Sequence, residues 1–172
     1  NCYASDVVAT GNCVAYWSGF FTSHPEFKGL VRRAEQVLRT GEIIHSLGFA
    51  EKQQLKYLED YMVTSANQDL HISWPDLYNA LQQLREAVSL AQHHDSITGT
   101  ETTITLNDYI SRIMTAIPPV YDLIRQLISY FMVKTYVKPN LSYNADYAFT
   151  HCAFSDGQEL PIVMYNSLAW ER

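Results

Sequence analysis

The sequence predicts a mainly α-helical fold, a three-helix bundle. Three long stretches carry apolar residues at the i, i+3, i+4 spacing of an amphipathic helix, and a helix-start signature lies ahead of each. The connections between them are short, as in bundles of antiparallel helices. Hydrophobic residues make up 47% of the 172-residue chain, which is ample for a packed core in one domain, or in one domain plus part of another.

The N-terminal segment, residues 1–22, lacks a helical period, and we expect it to be irregular. A capping-box pattern over Ser23–Glu26, with Pro in the first turn, predicts the start of the first long helix. This helix is expected to run to about Leu47 and to stop at Gly48, and a weaker apolar pattern at 55–62 indicates a further short helix. The apolar stripe of the first helix consists of Leu30, Val31, Ala34, Val37, Leu38 and Ile44.

The second long helix begins at the capping sequence Ser73–Asp76, and its apolar stripe ends at two histidines. Thr98–Glu101 is then expected to form a tight turn with a third capping box. Pro118-Pro119 should kink or interrupt the third helix, and the apolar pattern resumes over 120–136. The two stripes are Leu77, Leu81, Leu84, Val88 and Ala91 in the second helix, and Ile104, Tyr109, Ile110, Ile113, Met114 and Ile117 in the third.

The C-terminal part of the chain has a different character. Tyr143–Phe154 is aromatic and irregular, and Leu160–Asn166 resembles a β-strand for which this chain offers no partner. We therefore divide the chain into the irregular segment 1–22, a helical bundle over 23–136, and residues 137–172, a linker with the first strand of a following β-domain.

Composition excludes some partners and favours a compartment. The net charge is −6 without any Lys/Arg run, which argues against nucleic acid, and no stretch approaches the roughly 20 apolar residues of a membrane span. Neither an initiator Met nor a recognisable signal peptide opens the chain, so we expect a fragment of a longer protein. A sequon at Asn140 and an odd number of cysteines together favour the secretory pathway.

The three cysteines cannot all pair within the chain. Cys2 and Cys13 are close enough in sequence to close a short loop, which would leave Cys152 for a partner elsewhere. The alternative is three free thiols in a cytosolic protein, since buried free cysteine is ordinary.

The octapeptide HHDSITGT, residues 93–100, places two imidazoles and a carboxylate at the end of the second helix. Such a row is ill suited to a core and well suited to a metal or a polyhydroxylated ligand. Because a helix rotates by about 100° per residue, an unbroken helix would let only one imidazole bind the metal, with the other facing a ligand and Asp95 accepting hydrogen bonds. The alternative is that His93 and His94 only compensate the helix dipole.

Residues 92–100, QHHDSITGT, closely resemble the Gln-His-His-Asp-x-[Ile/Val]-[Ser/Thr]-Gly-Thr signature of class II α-mannosidases, glycoside hydrolase family 38. Residues 16–25, YWSGFFTSHP, resemble the segment that opens the middle domain of that family, and NSLAW at 166–170 is similar to the strand that opens its C-terminal β-domains. The region around 28–34 is most similar to lysosomal and epididymis-type members.

The resemblance implies a role for each of four residues. His94, the second histidine of the signature, would be a ligand of the active-site zinc, whereas His93 and Asp95 would line the sugar pocket. Trp17 would form part of the aromatic wall against which the mannose lies. One departure inside the signature is Ser96, where the family has Ala or Gly, and we expect this small polar change to be tolerated.

The resemblance also implies that the whole enzyme hydrolyses terminal α-mannosyl residues of N-glycans with retention, in the lysosome or outside the cell. Retaining glycosidases need two carboxylates about 5 Å apart, and the family carries both on an N-terminal α/β domain. No catalytic residue is therefore expected in this chain, and its partners would be that domain, the C-terminal β-domains and the glycan. The alternative function is a non-catalytic helical scaffold or glycan-binding module.

Overall fold

The structure is a computed structural model that describes residues 6–9, 12–15, 17–55, 73–133 and 164–166. A β-hairpin of β1 (Asp6–Ala9) and β2 (Asn12–Ala15) is followed by a short 3-10 helix, Ser18–Phe21. Three α-helices come next: α1 (Pro25–Leu55), α2 (Trp74–Ala91) and α3 (Thr103–Val133). The predicted mainly α, three-helix architecture is confirmed.

The core lies along the line where the three helices meet, and each helix packs against the other two. The stripe predicted for α2 is buried along its whole length. Ser73 is the N-cap residue of α2 as predicted, although its side chain makes no capping hydrogen bond. The buried apolar residues are Phe27, Val31, Ala34, Val37 and Ile44 of α1, Leu77, Ala80, Leu81, Leu84, Ala87, Val88 and Ala91 of α2, and Ile113, Ala116, Ile117, Val120, Leu123 and Leu127 of α3.

Gly48 does not end α1, which continues to Leu55, so the predicted helix stop is wrong. A Cβ at Gly48 would lie 3.0 Å from both the Leu127 side chain and the Trp74 ring. Gly41, seven residues earlier on the same face, would place a Cβ 2.7 Å from Val120. The two glycines therefore let α1 approach its neighbours closely.

Substitution Gly41→Ala is expected to lower the free energy of unfolding by about 1–2 kcal/mol. Overpacking costs about 1–3 kcal/mol, whereas the gain in helix propensity is at most about 1 kcal/mol. The matched control is Gly29→Ala in the same helix, where a Cβ meets nothing within 4 Å; it should raise stability by about 0.5–1 kcal/mol. Urea unfolding of both variants measures this, and equal stabilisation by both alanines would contradict the close approach.

The predicted start and stripe of α3 are only partly confirmed. The helix begins at Thr103, and the cap comes from the Thr102 hydroxyl, which accepts from the Thr105 amide at 3.4 Å, so the capping box predicted at Thr98–Glu101 is wrong. Ile104 and Met114 are 84% and 54% exposed rather than core residues. The other four residues of the stripe, Tyr109, Ile110, Ile113 and Ile117, lie in the core or pack against it.

Pro118 and Pro119 lie inside α3, which runs across both without interruption. Prolines lack an amide hydrogen, so the carbonyls of Met114 and Thr115, four residues earlier, lose their helical donors. Both residues lie on the exposed side of α3, where water can donate instead. Val120, directly after the prolines, is fully buried against the other helices. Tertiary packing therefore keeps the helix continuous.

Sequence analysis missed the N-terminal hairpin, which lies within the segment expected to be irregular. Its antiparallel register pairs Asp6 with Ala15 and Ala9 with Asn12. The only signal was the β-branched pair Val7-Val8 and the single Val14, on either side of a connection that contains Gly11. The side chains of Cys2 and Cys13 lie outside the described part of the chain, so their disulfide stays a prediction.

The C-terminal predictions fall almost wholly outside the described residues, including the sequon at Asn140 and the thiol of Cys152. The last three residues of the expected strand, Leu160–Asn166, are described and have no regular secondary structure. Tyr165 packs against the helical core, where burial raises the pKa of its hydroxyl. The short helix predicted after Leu55 also lies outside the described part. Within the described ranges, no helix is long and apolar enough to cross a membrane.

Candidate functional site

The signature lies on a loop, residues 92–102, that follows the end of α2; we refer to it as the motif loop. Successive turns fold it tightly: the Ser96 amide donates to the His93 carbonyl at 2.8 Å, the Gly99 amide to the Ser96 carbonyl at 2.9 Å, and the Thr100 amide to the Asp95 carbonyl at 3.1 Å. Gly99 has a φ of 72°, a left-handed conformation that favours glycine. The loop conformation therefore depends on local hydrogen bonds and on this glycine.

His93, His94 and Asp95 converge on this loop. The Nε2 atoms of His93 and His94 lie 3.4 Å and 3.6 Å from Asp95 Oδ2, and the two imidazole centroids are 4.4 Å apart. The expected 100° divergence of the two histidines does not occur, because α2 ends at Ala91 before either residue. Both imidazoles therefore face the same carboxylate oxygen.

The donor set fits a zinc ion. One potential ligand atom from each of the three residues lies within 4.8 Å of the others, and within the described ranges this is the one such cluster of His, Cys, Asp or Glu. Zinc accepts imidazole nitrogen and carboxylate oxygen at about 2.0–2.2 Å. The side chains of His94, Asp95 and His93 are 84%, 53% and 44% exposed. The donor atoms are therefore accessible, and ligands from outside this domain could complete the coordination of a metal.

Asp95 is held in place by the threonine that closes the signature. The Thr100 hydroxyl donates to Asp95 Oδ1 at 3.0 Å, while Oδ2 faces the imidazoles. The Thr98 hydroxyl donates to the His94 carbonyl and is also 3.2 Å from the Thr100 hydroxyl. The two threonines of the signature thus fix the backbone and one carboxylate oxygen, and they leave Oδ2 available.

Ser96 anchors the motif loop to the protein interior. It is fully buried, and its hydroxyl has no hydrogen-bond partner among the described residues. Ile97, the next residue, packs against the helical core. A buried hydroxyl without a partner costs free energy, and the loop is nevertheless folded around it. The effect of this departure from the family pattern stays a prediction.

Two residues near the start of α1 hold the motif loop from the other side. The Ser23 hydroxyl donates to the Thr98 carbonyl. Lys28 Nζ donates to the Ser23 carbonyl at 2.5 Å and to the Ile97 carbonyl at 2.6 Å. Sequence reasoning missed Lys28, because a lysine in the first turns of a helix is most often a solvated charge.

Trp17 lies immediately before the 3-10 helix, and its indole is 82% exposed. It makes no hydrogen bond or ring contact within the described part of the chain, so it does not join the cluster at residues 93–95. Ser23, six residues later, does contact the motif loop through Thr98. Residues 17–23, which we call the aromatic segment, are therefore hydrogen-bonded to the motif loop at a point six residues from Trp17.

Comparison with known proteins identifies the family. The sequence profile described as "alpha mannosidase middle domain" matches residues 15–131, more than half of the chain. The chain belongs to this family. The match includes Trp17, the whole motif loop and all of α2, and so takes in every described residue of the candidate site in this middle domain.

Several curated relatives of this middle domain are far longer proteins. The chain is 26% identical to the "lysosomal alpha-mannosidase" of Dictyostelium discoideum over 94% of its own length and 15% of that protein. The "epididymis-specific alpha-mannosidase" of Sus scrofa is 30% identical over 90% of the chain and 12% of its own length. Human "alpha-mannosidase 2" is 39% identical over 57% of the chain and 8% of its own length. No solved structure gives a significant match.

Proposed function

We propose that this middle domain forms one wall of the active site of a retaining, zinc-dependent α-mannosidase that removes terminal α-mannosyl residues from N-glycans. The observation that carries the proposal is the convergence of His93, His94 and Asp95 on an exposed loop in a chain that belongs to the α-mannosidase middle domain family.

In this proposal His94 is the zinc ligand that the domain supplies, because it is the most outward-facing of the three groups. A zinc ion bound there would supply positive charge that polarises sugar hydroxyls and favours an oxocarbenium-like transition state. Asp95 accepts hydrogen bonds from sugar hydroxyls through Oδ2, since Thr100 already occupies Oδ1. His93 lies beside it and lines the sugar pocket.

Trp17 provides the apolar part of the recognition. Its exposed indole offers a flat face for the C–H side of a mannose ring. This role suits a segment that lies a few residues before Ser23, which bonds to the motif loop. Sugar stacking on Trp17 and hydrogen bonding at Asp95 would then come from two segments of one domain.

The nucleophile and the general acid/base come from the N-terminal α/β domain, on the same or an associated chain, and the C-terminal β-domains follow the bundle. The names of the lysosomal and epididymis-specific relatives support a lysosomal or secreted location. The proposal includes glycosylation at Asn140 and a disulfide from one of the cysteines to another segment or chain.

The test is hydrolysis of an aryl α-mannoside by the protein expressed with its flanking domains. We expect turnover that is lost on complete chelation of zinc and returns when zinc is added back, whereas the isolated 172-residue chain should show none. Turnover that survives complete zinc removal would refute the metal role, and hydrolysis by the isolated chain would refute the division of the site. A zinc-loaded protein without any mannosidase activity would favour the scaffold or glycan-binding alternative.

A further inference from the structure

The ammonium group of Lys28 is hydrogen-bonded to protein oxygens, whereas a lysine near the start of a helix is usually solvated. Its ammonium group donates to the Ser23 carbonyl at 2.5 Å, to the Ile97 carbonyl at 2.6 Å and to the Ser23 hydroxyl at 3.2 Å. An ammonium has three donors, so these three oxygens account for all of them. Two of the oxygens belong to backbone carbonyls that are far apart in sequence, and the group bridges the start of α1 and the motif loop.

A second bond and a steric fit reinforce this bridge. Ser23, itself bound by Lys28, donates its hydroxyl to the carbonyl of Thr98, the residue after Ile97. At Gly99 a Cβ would lie only 2.6 Å from Ser23 Oγ, so the loop backbone packs closely against the Ser23 side chain. Three consecutive loop residues, 97–99, thus contact either Ser23, just before α1, or Lys28, in its first turn.

The fixed part of the loop is directly connected to the donor cluster. The Ser96 amide donates to the His93 carbonyl, and the Thr100 amide donates to the Asp95 carbonyl. Movement of the loop at residues 97–99 would therefore be passed to His93 and Asp95 through two short hydrogen-bonded turns. Trp17 lies on the other segment, six residues before Ser23.

We propose that Lys28 is a positioning residue that sets the place of the zinc- and sugar-binding loop relative to the aromatic segment of Trp17. This inference rests on the function proposed above. Lys28 touches neither metal nor sugar; it acts through the carbonyls of Ser23 and Ile97. A charge-assisted bond from a part-buried ammonium to a carbonyl is stronger than a neutral one. Such bonds suit a group that keeps two segments in a fixed relative position.

The test compares Lys28→Met with Lys52→Met in the enzyme expressed with its flanking domains. Methionine keeps the apolar stem and removes all three donors, and Lys52 lies near the other end of α1 over the Trp74 ring, with its Nζ 5.5 Å from the ring centroid. For Lys28→Met we expect zinc loss to a chelator to be on the order of tenfold faster, because partners that orient metal ligands typically change affinity 10–100-fold. The kcat/KM for an aryl α-mannoside should fall by a similar factor, and Lys52→Met should match wild type in both.

Ser23→Ala provides a second variant, which removes the bond to Thr98 and should change zinc loss in the same direction by a smaller factor. Lys28→Arg keeps a charged donor, so it should release zinc more slowly than Lys28→Met. If Lys28 only stabilised the fold, zinc release would follow the thermal stability of the variants and not the presence of a donor. An active, zinc-bearing wild type whose Lys28→Met and Ser23→Ala variants release zinc at the wild-type rate would overturn the inference and leave the proposed function intact. A wild type with neither zinc nor activity would refute the proposed function itself and, with it, this inference.

Discussion

His94→Ala in the enzyme with its flanking domains is expected to lose both its zinc and its turnover. The His94 imidazole is the most exposed of the three donors, and in the proposed function ligands from another domain complete the metal site there. Even residues that merely orient metal ligands change affinity or activity by about 10–100-fold, so loss of the ligand itself should reduce kcat/KM by more than about a hundredfold. Elemental analysis alongside kinetics measures both effects.

The adjacent His93→Ala is the matched comparison, since it removes the same side chain one residue away. We expect this variant to keep its zinc and to lose only sugar binding. Full zinc in His94→Ala with zinc loss in His93→Ala would reverse the assignment within the pair. Full zinc in both variants would contradict a metal role for either histidine.

Asp95→Ala is expected to keep its zinc and to lose roughly ten- to a hundredfold in kcat/KM. A hydrogen bond to a charged group is worth about 1.5–3 kcal/mol, and the loss of such bonds to sugar hydroxyls appears in kcat/KM. The matched control is Asp108→Ala on α3, whose side chain is 52% exposed against 53% for Asp95 and whose partner among the described residues is the exposed Arg112. That variant should retain kcat/KM within about twofold.

Zinc analysis of the Asp95 variant separates two roles that the geometry allows. Asp95 Oδ2 lies within 3.6 Å of both imidazoles, close enough to share a metal with them. Loss of zinc from Asp95→Ala would make this carboxylate a ligand and contradict its assignment to the sugar. Unchanged kinetics would contradict any role for it in the site.

The parts of the fold that were predictable are those where periodicity alone decides burial. The α2 stripe from Leu77 to Ala91 was predictable because helix geometry places these residues on one face, and that face meets both other helices. Gly48 was misjudged because a glycine that stops a helix and a glycine that lets two helices approach look alike in sequence. Only the positions of Leu127 and Trp74 distinguish them. The interruption expected at Pro118 and Pro119 does not occur, because tertiary packing outweighs a local preference.

The three residues of the donor cluster stand together in the sequence, but their arrangement could not be predicted from it. The signature at 92–100 identified His93, His94 and Asp95, yet the meeting of both imidazoles at one carboxylate oxygen depends on where α2 ends. The role of Lys28 was not predictable, because it bonds to backbone carbonyls. Every residue has a carbonyl, so the sequence does not show which one a lysine will bind. The N-terminal hairpin escaped notice because four-residue strands are too short to display alternation.

Anomalous diffraction at the zinc absorption edge, on crystals of the enzyme with its flanking domains, would show whether this domain contributes a zinc ligand to a mannosidase active site. We expect an anomalous peak about 2.0–2.1 Å from a ring nitrogen of His94, with no peak within bonding distance of His93. An anomalous peak bonded to His93 alone, or a zinc-bearing active enzyme whose metal lies away from the motif loop, would contradict this expectation.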